Sequence, residues 1–351
     1  NFQKYYGLGE IYEKRRATIE NACDKSQDGY MGNSEGSKVA KKLVINRSRH
    51  LVYCPVQKVG STFLRSLLRM VNRDGKKNID GRRMHEKNKN STSTDVTDLH
   101  YILTTSFKMM FTRNPYERLF SGYVDKLFTV NTLYWAITGT YIKNNILNPK
   151  DDYREKCGHG VTFPQFIKYV IASFKTGEHT NAHFTPIYEH CLPCQISYDF
   201  IGKMETFAND SLVLLNGWNR RYGTNITYDD FEVETSLLRA GGQVGRLYQM
   251  RIGLEKCMSF YSAMQRIWKD LQIRGMLSTG ISLPFNRSKA GNVTKTQMQD
   301  VVTKAIQESF TDRTGLLRQK EESISQAYSD VPMEDLLELR ELVRPDCELF
   351  G

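Results

Sequence analysis

The chain has 351 residues, 40% of them hydrophobic and 25% charged, with a formal net charge of +10. That is ordinary globular composition, long enough for one large α/β domain or two smaller ones with a sizeable core. No apolar run approaches the roughly 18 residues that a membrane-spanning helix needs. The basic balance favours anionic partners: nucleic acid, a membrane surface, an acidic polysaccharide or a nucleotide. A merely solubilising surface charge is the plainer account of the same number.

Residues 8–23 read as an amphipathic helix, with Leu8, Ile11, Tyr12, Ile19 and Cys23 on one side and Glu10 paired to Lys14 at i,i+4. A Gly/Ser loop, Met31 to Ser37, precedes a short strand over Leu43–Asn46. Residues 1–42 are therefore set apart as a helix and loop, and residues 43–351 as the main domain.

Residues 51–56 form an apolar, β-prone run. A loop of Lys58, Val59, Gly60, Ser61 and Thr62 follows, and apolar residues then recur at Phe63, Leu64, Leu67, Leu68 and Val71 with helical spacing. Strand, small-residue loop, helix is how a backbone offers N–H groups to a phosphate at a helix N-terminus. Lys58 adds a positive charge at the mouth of that cradle. The nucleoside-triphosphate version needs Gly-x4-Gly-Lys-Ser/Thr, which is absent. Taken alone the signal is weak, because many strand–helix loops use Gly and Ser only to turn and cap. Residues 73–98 are polar and basic (Arg73, Lys76, Lys77, Arg82, Arg83, Lys87, Lys89) and read as a surface excursion, either solvated or glycan-binding.

A second strand–helix unit spans residues 108–127. Met109 to Thr112 make a short buried strand ending at Arg113. Asn114 suits an N-cap, Pro115 the first helical position, and Glu117 can close a capping box. Leu119, Phe120, Tyr123 and Leu127 share one face. Ser121 lies two turns in, about 10 Å along the axis, so arginine and serine can hold one phosphate from two sides. Pairing of Arg113 with Glu117 or Asp125 is the plainer account.

Gln57-Lys-Val-Gly-Ser-Thr-Phe-Leu64 and Arg113-Asn-Pro-Tyr-Glu-Arg-Leu-Phe-Ser-Gly-Tyr123 together resemble the phosphosulfate-binding and 3′-phosphate-binding segments of Golgi carbohydrate sulfotransferases. The nearest group is the chondroitin/dermatan 4-O- and glucuronyl 3-O-sulfotransferases. The second segment matches almost completely; the first departs at Gln57, Ser61, Phe63 and Leu64. A third block, residues 181–206, resembles the family's Asn-Glu-His-Trp…Cys-x-Pro-Cys…Gly-Lys-x-Glu-Thr, and Leu339 to Gly351 resembles its closing segment.

The resemblance implies an α/β, P-loop-like sulfotransferase fold with a central parallel sheet flanked by helices, and 3′-phosphoadenosine 5′-phosphosulfate (PAPS) as sulfuryl donor. The implied donor-binding set is Lys58, Val59, Gly60, Ser61, Thr62, Phe63, Arg113, Asn114, Pro115, Tyr116, Glu117, Arg118 and Ser121. Lys58 is also the catalytic cation, because charge builds on the departing phosphate as the sulfuryl group leaves. An attacking hydroxyl needs a base. His183 is the candidate, with His190 and Glu205 as fallbacks, and a structural histidine is an equal reading. The implied partner is a glycan, anionic or N-acetylgalactosamine-containing; no nucleic acid and no metal is expected. A Golgi-lumen location follows, with a type II membrane anchor upstream of Asn1, where the chain starts without methionine. Two alternatives stand: a nucleotide-dependent kinase, which lacks its phosphate loop, and an inactive basic glycan-binding protein on the same fold.

Thr162-Phe-Pro-Gln165 is a capping box opening a helix that stops at Gly177. Ile196 to Gly202 alternates as a strand, and helices are expected at 208–217, 255–272, 295–310 and 333–343, the last broken by Arg344-Pro345. Cys191-Leu-Pro-Cys194 has redox or zinc spacing, but no second pair follows. Structural disulfides to other members of the seven cysteines fit an oxidising lumen better. Six Asn-x-Ser/Thr sequons agree with that compartment.

Overall fold

The computed structural model describes residues 7–25, 42–72, 96–147 and 156–351. Most of the basic stretch at 73–98, including all seven of its named Lys and Arg residues, lies outside them, as does the Gly/Ser loop. The main elements in chain order are α1 (Glu10–Lys25), β1 (Val44–Asn46), β2 (Leu51–Cys54), α2 (Ser61–Asn72), α3 (Val96–Thr105), β3 (Phe107–Thr112), α4 (Pro115–Tyr123) and α5 (Phe163–Thr176). They continue with α6 (Ile187–Cys191), β4 (Phe200–Lys203), α7 (Phe207–Tyr222), α8 (Phe231–Gln249), α9 (Phe260–Ile273), α10 (Lys295–Ser309), α11 (Arg313–Ser329) and α12 (Met333–Phe350). No helix among the described residues is long and apolar enough to cross a membrane.

The chain divides into two compact units. The first comprises 1–118, 180–228 and 341–351 and contains the sheet, in the order β1-β2-β3-β4. β2, β3 and β4 run parallel, and β1 adds an antiparallel edge. The expected parallel sheet is thus present. β2 is buried at every position, and β3 at every position but Lys108. That is the pattern of strands covered on both faces. β4 starts later than the alternation suggested: Gln195 and Ile196 turn back on the Leu192 carbonyl, and the strand begins at Phe200. Helix α1 belongs to this unit. Tyr12 stacks on Phe200 at 4.8 Å, and buried Arg15 donates to Asp210 at 2.8 Å and to the Ile201 carbonyl at 2.8 Å.

Two disulfides lock the same unit, Cys23–Cys194 and Cys54–Cys191. The Cys-Leu-Pro-Cys cysteines therefore pair outward, one with α1 and one with β2, as structural bridges. A third bridge, Cys157–Cys257, lies in the second unit, and Cys347 is unpaired.

The second unit, 119–179 and 229–340, is helical, with a core of Trp135, Val244, Leu247, Ala263, Met264, Ile267, Leu271, Met298 and Ile306. The capping box at Thr162/Gln165 and the left-handed Gly177 stop are both present on α5. Two helices here escaped the periodicity reading, α8 and α11. Each has a legible start: Asp230 accepts from the Val233 N–H and Asp312 from the Gly315 N–H. Helix α12 also corrects an expectation, since it runs through Pro345 to Phe350 instead of breaking there. The lost backbone bond is outweighed by burial of Leu349 and Phe350 and by two hydrogen bonds that Asp346 accepts.

Candidate active site

β2 leads through Gln57 into the loop that the sequence reading expects to bind phosphate. Lys58 and Gly60 both take left-handed backbone angles, φ 69° and 75°. Left-handed residues on either side of Val59 are a backbone feature found in anion-binding nests. A non-glycine residue in this region is strained, and strain of this kind clusters at functional sites. Glycine is required at 60 for a second reason. A Cβ there would stand 2.5 and 2.7 Å from ring atoms of Phe207. The first helical bond of α2 runs from the Leu64 N–H to the Gly60 carbonyl at 3.0 Å. The amides of Ser61, Thr62 and Phe63 therefore stand at the positive end of a three-turn helix.

Several side chains of the predicted set serve packing. Val59 is fully buried, and Phe63 packs with Phe207 and Tyr228. Leu64 is fully buried, so the departures from the family pattern at 63 and 64 are core positions. Ser61 is buried and Thr62 exposed.

Arg113 ends β3 and reaches the loop: its Nη1 donates to the Lys58 carbonyl at 3.4 Å. The two predicted phosphate segments thus meet within the first unit. Arg113 also pairs with Glu117, Nη2 to Oε2 at 3.0 Å. Asn114 caps α4 as expected, its Oδ1 accepting from the Tyr116 and Glu117 amides at 3.0 and 3.2 Å. Glu117 does not close the capping box. Its carboxylate goes to Arg113, and the Asn114 amide is held instead by Glu205 Oε1 at 2.8 Å. Pro115 occupies the first turn and is buried; Tyr116 is half-buried. Ser121 lies in the second unit, buried, its Oγ accepting from Arg274 Nη1 at 3.1 Å.

Arg118 is 2% exposed. Its Nε donates to the Gln57 carbonyl at 3.0 Å and its Nη2 to the Ala182 carbonyl at 3.4 Å. One guanidinium therefore ties the residue before Lys58 to the residue before His183. The Gln57 departure involves a backbone carbonyl that any residue supplies. Burial pulls the Arg118 pKa down to about 10, which leaves it charged at neutral pH.

His183 is partly buried. Asn181 Oδ1 lies 2.8 Å from its Nδ1 and 3.0 Å from its amide nitrogen. A carbonyl oxygen only accepts, so Nδ1 carries the proton and Nε2 the basic lone pair. His190 is different: it is buried, its Nε2 finds no hydrogen-bond partner, and burial lowers its pKa to about 4. It is a core histidine. Asp346, from α12, accepts from the Ile187 and Tyr188 amides at 2.8 and 2.9 Å and so pins the start of α6. Sequence reasoning missed this residue, which sits beside the helix-breaking signal of Pro345. Burial lifts its pKa to about 6, against the pull of the two amides and Arg118.

A model of the sulfotransferase family matches residues 41–233, more than half of the chain and all of the loop, arginine and histidine segments just described. The chain belongs to the sulfotransferase family. Among curated proteins it is similar to carbohydrate sulfotransferase 9 of Homo sapiens, 28% identical over 212 residues, 59% of this chain and 48% of the relative. Carbohydrate sulfotransferase 11 of Rattus norvegicus is 32% identical over 185 residues, covering 50% and 52%. Carbohydrate sulfotransferase 10 of Xenopus laevis is 26% identical over 219 residues, covering 58% and 61%. The chain spans about half the length of these relatives. No solved structure matches.

Proposed function

We propose that this sulfotransferase-family chain moves a sulfuryl group from PAPS to a hydroxyl of a glycan. The observation that carries the reading is the loop: left-handed Lys58 and Gly60 opening the N-terminus of α2, with Arg113 on the Lys58 carbonyl. Glycine at 60 lets this left-handed turn pack directly against the Phe207 ring, which fixes the loop's backbone. The donor, when bound, supplies the sulfuryl group and an anionic leaving phosphate.

The chain's part is positioning and charge. The amides of residues 60–63 and the Lys58 ammonium hold the phosphosulfate and stabilise charge that grows as the bridging oxygen departs. Arg113 holds the 3′-phosphate, with Glu117 keeping its guanidinium oriented. His183 Nε2 accepts the proton of the acceptor hydroxyl, its tautomer set by Asn181. Arg118 keeps Lys58 and His183 in fixed relation through their neighbours' carbonyls.

The acceptor class follows from charge and relatives. A net charge of +10 suits an anionic glycan, and the matched relatives are named carbohydrate sulfotransferases. An N-acetylgalactosamine-containing chain is the neutral alternative. A Golgi-lumen setting accords with three disulfides in the described residues. The test is incubation with labelled PAPS and a panel of sulfated, desulfated and neutral glycans at several salt concentrations. Label transfer that falls steeply with salt supports the anionic acceptor. Salt-insensitive transfer points to the neutral one. PAP and glycan binding without transfer would mean an inactive binding protein.

A further inference from the structure

Away from the phosphate loop, the second unit presents an aromatic stack to solvent. His179 is exposed, and its imidazole lies on the ring of half-buried Tyr141, with centroids 4.0 Å apart and planes tilted by 36°. Tyr141 covers one face of the imidazole, which leaves the exposed surface to the other face and the ring edge. Tyr169, 4% exposed on α5, holds both partners. Its ring meets Tyr141 edge-on at 6.1 Å, and its hydroxyl donates to the His179 carbonyl at 2.7 Å. The stack is therefore footed in the core.

Both stacked residues sit in unusual backbone. His179 takes a left-handed angle, φ 53°. A non-glycine residue there is uncommon, and strain of this kind gathers at functional sites. Tyr141 lies between two π-helical segments, Trp135–Gly139 and Ile142–Leu147. Such segments also recur at functional sites. Gly139 packs so closely on the Gly158 backbone that a Cβ would collide with the Gly158 carbonyl, and Asn145 Nδ2 donates to the Tyr141 carbonyl at 3.1 Å. Tyr141 is held on both sides, so the platform is rigid before anything binds.

We infer that the outer face of His179, backed by Tyr141, is a stacking subsite for a pyranose ring of the acceptor glycan. The assignment rests on the glycan-transfer reading proposed above. A pyranose presents C–H groups on one face, and the negative face of an aromatic ring attracts them. A platform that is already ordered spends no side-chain entropy on binding. His179 precedes His183 by four residues, at most about 14 Å of backbone, a span that a few linked sugars cover. Stacking uses no charge, so the subsite takes a sugar ring whether or not the glycan is anionic.

The test compares wild type with His179→Asn, which tolerates the left-handed backbone but has no ring, and with His179→Tyr, which keeps one. Circular dichroism checks folding. The probe is a desulfated chondroitin oligosaccharide, titrated while NMR follows the His179 ring protons, then used as acceptor with saturating PAPS. Titration should shift those ring protons in wild type. His179→Asn should raise the oligosaccharide Kd and the acceptor KM about fivefold, with kcat and PAP affinity unchanged, and the loss should persist at high salt. His179→Tyr should lose less. A wild type without ring shifts overturns the subsite, as does a folded His179→Asn with wild-type Kd, equal loss in both variants, or a loss that vanishes with salt. If wild type binds the oligosaccharide and transfers nothing, the transfer reading fails, and the ring shifts and Kd values still decide the platform. Should His179→Asn not fold, His179→Gly is measured with the same criteria.

Discussion

Replacing Gly60 by alanine tests whether the phosphate loop is built as described. Two costs add. The left-handed angle, φ 75°, disfavours any side chain by about 1–2 kcal/mol. The new Cβ also meets Phe207 ring atoms at 2.5 and 2.7 Å and Met204 Sδ at 3.4 Å. Phe207 has little room to retreat, because its ring packs edge-on against Phe63 and Phe111 at 5.5 and 5.6 Å. Overpacking of this kind costs about 1–3 kcal/mol, so Gly60→Ala should destabilise by about 2–5 kcal/mol. Urea unfolding followed by circular dichroism measures this. Repeating it in a Phe207→Leu background separates the terms: the ring clash should disappear and the backbone cost remain. PAP titration should show weakened binding in Gly60→Ala even where the protein is folded, because the amides of residues 61–63 move with the loop. A Gly60→Ala protein within about 0.5 kcal/mol of wild type would refute the loop geometry. Equal cost in both backgrounds would refute the part played by Phe207.

Lys58→Ala should fold, since it releases no buried side chain, and should lose about 100- to 1000-fold in turnover, as removal of an oxyanion donor does; near wild-type single-turnover rates would remove Lys58 from the chemistry. Arg113→Ala should weaken PAP by about 1.5–3 kcal/mol, and unchanged calorimetric affinity would sink its phosphate role. Glu117→Gln should weaken PAP less than Arg113→Ala does, because the amide oxygen still accepts from that guanidinium and keeps it oriented. The pH dependence follows from two buried groups of opposite sign. His190 titrates near 4 when folded, below its ordinary value, so the unfolded chain takes up its proton first and stability falls as pH drops from about 6.5 to 4, by up to about 3 kcal/mol. Asp346 is raised to about 6, so the folded chain takes up its proton first and stability rises over the same fall in pH, from about 6 to 4. Acid unfolding of His190→Leu should therefore be flatter than wild type and that of Asp346→Asn steeper; parallel curves for all three would show that neither burial acts as described.

What was readable in the chain was local. Asn114 and Thr162 cap helices because a short polar side chain reaches amides two or three residues on. Gly60 and Gly177 turn because glycine alone takes φ above zero without strain. The buried parallel strands were legible as apolar runs, and the two phosphate segments as strand–loop–helix units. These interactions span a few residues, so order along the chain is enough to reveal them.

Other features came only from folding. Asp230 and Asp312 mark the starts of α8 and α11 as clearly as Thr162 marks α5, yet their helices have apolar stripes that polar residues interrupt. On α8 the interruption includes Arg239 and Arg246, which pair with Asp125. Arg118 reads as a phosphate ligand in its motif, but folding directs it to the carbonyls of Gln57 and Ala182, 61 and 64 residues away. Which cysteine meets which, across separations of 100 to 171 residues, depends on the paths of whole elements. Pro345 breaks a helix judged by its own backbone. It does not break α12, because Asp346 is anchored to amides 158 and 159 residues earlier in the chain. Local propensity amounts to about 3 kcal/mol at such a proline, and contacts brought together from distant parts of the sequence outweigh it.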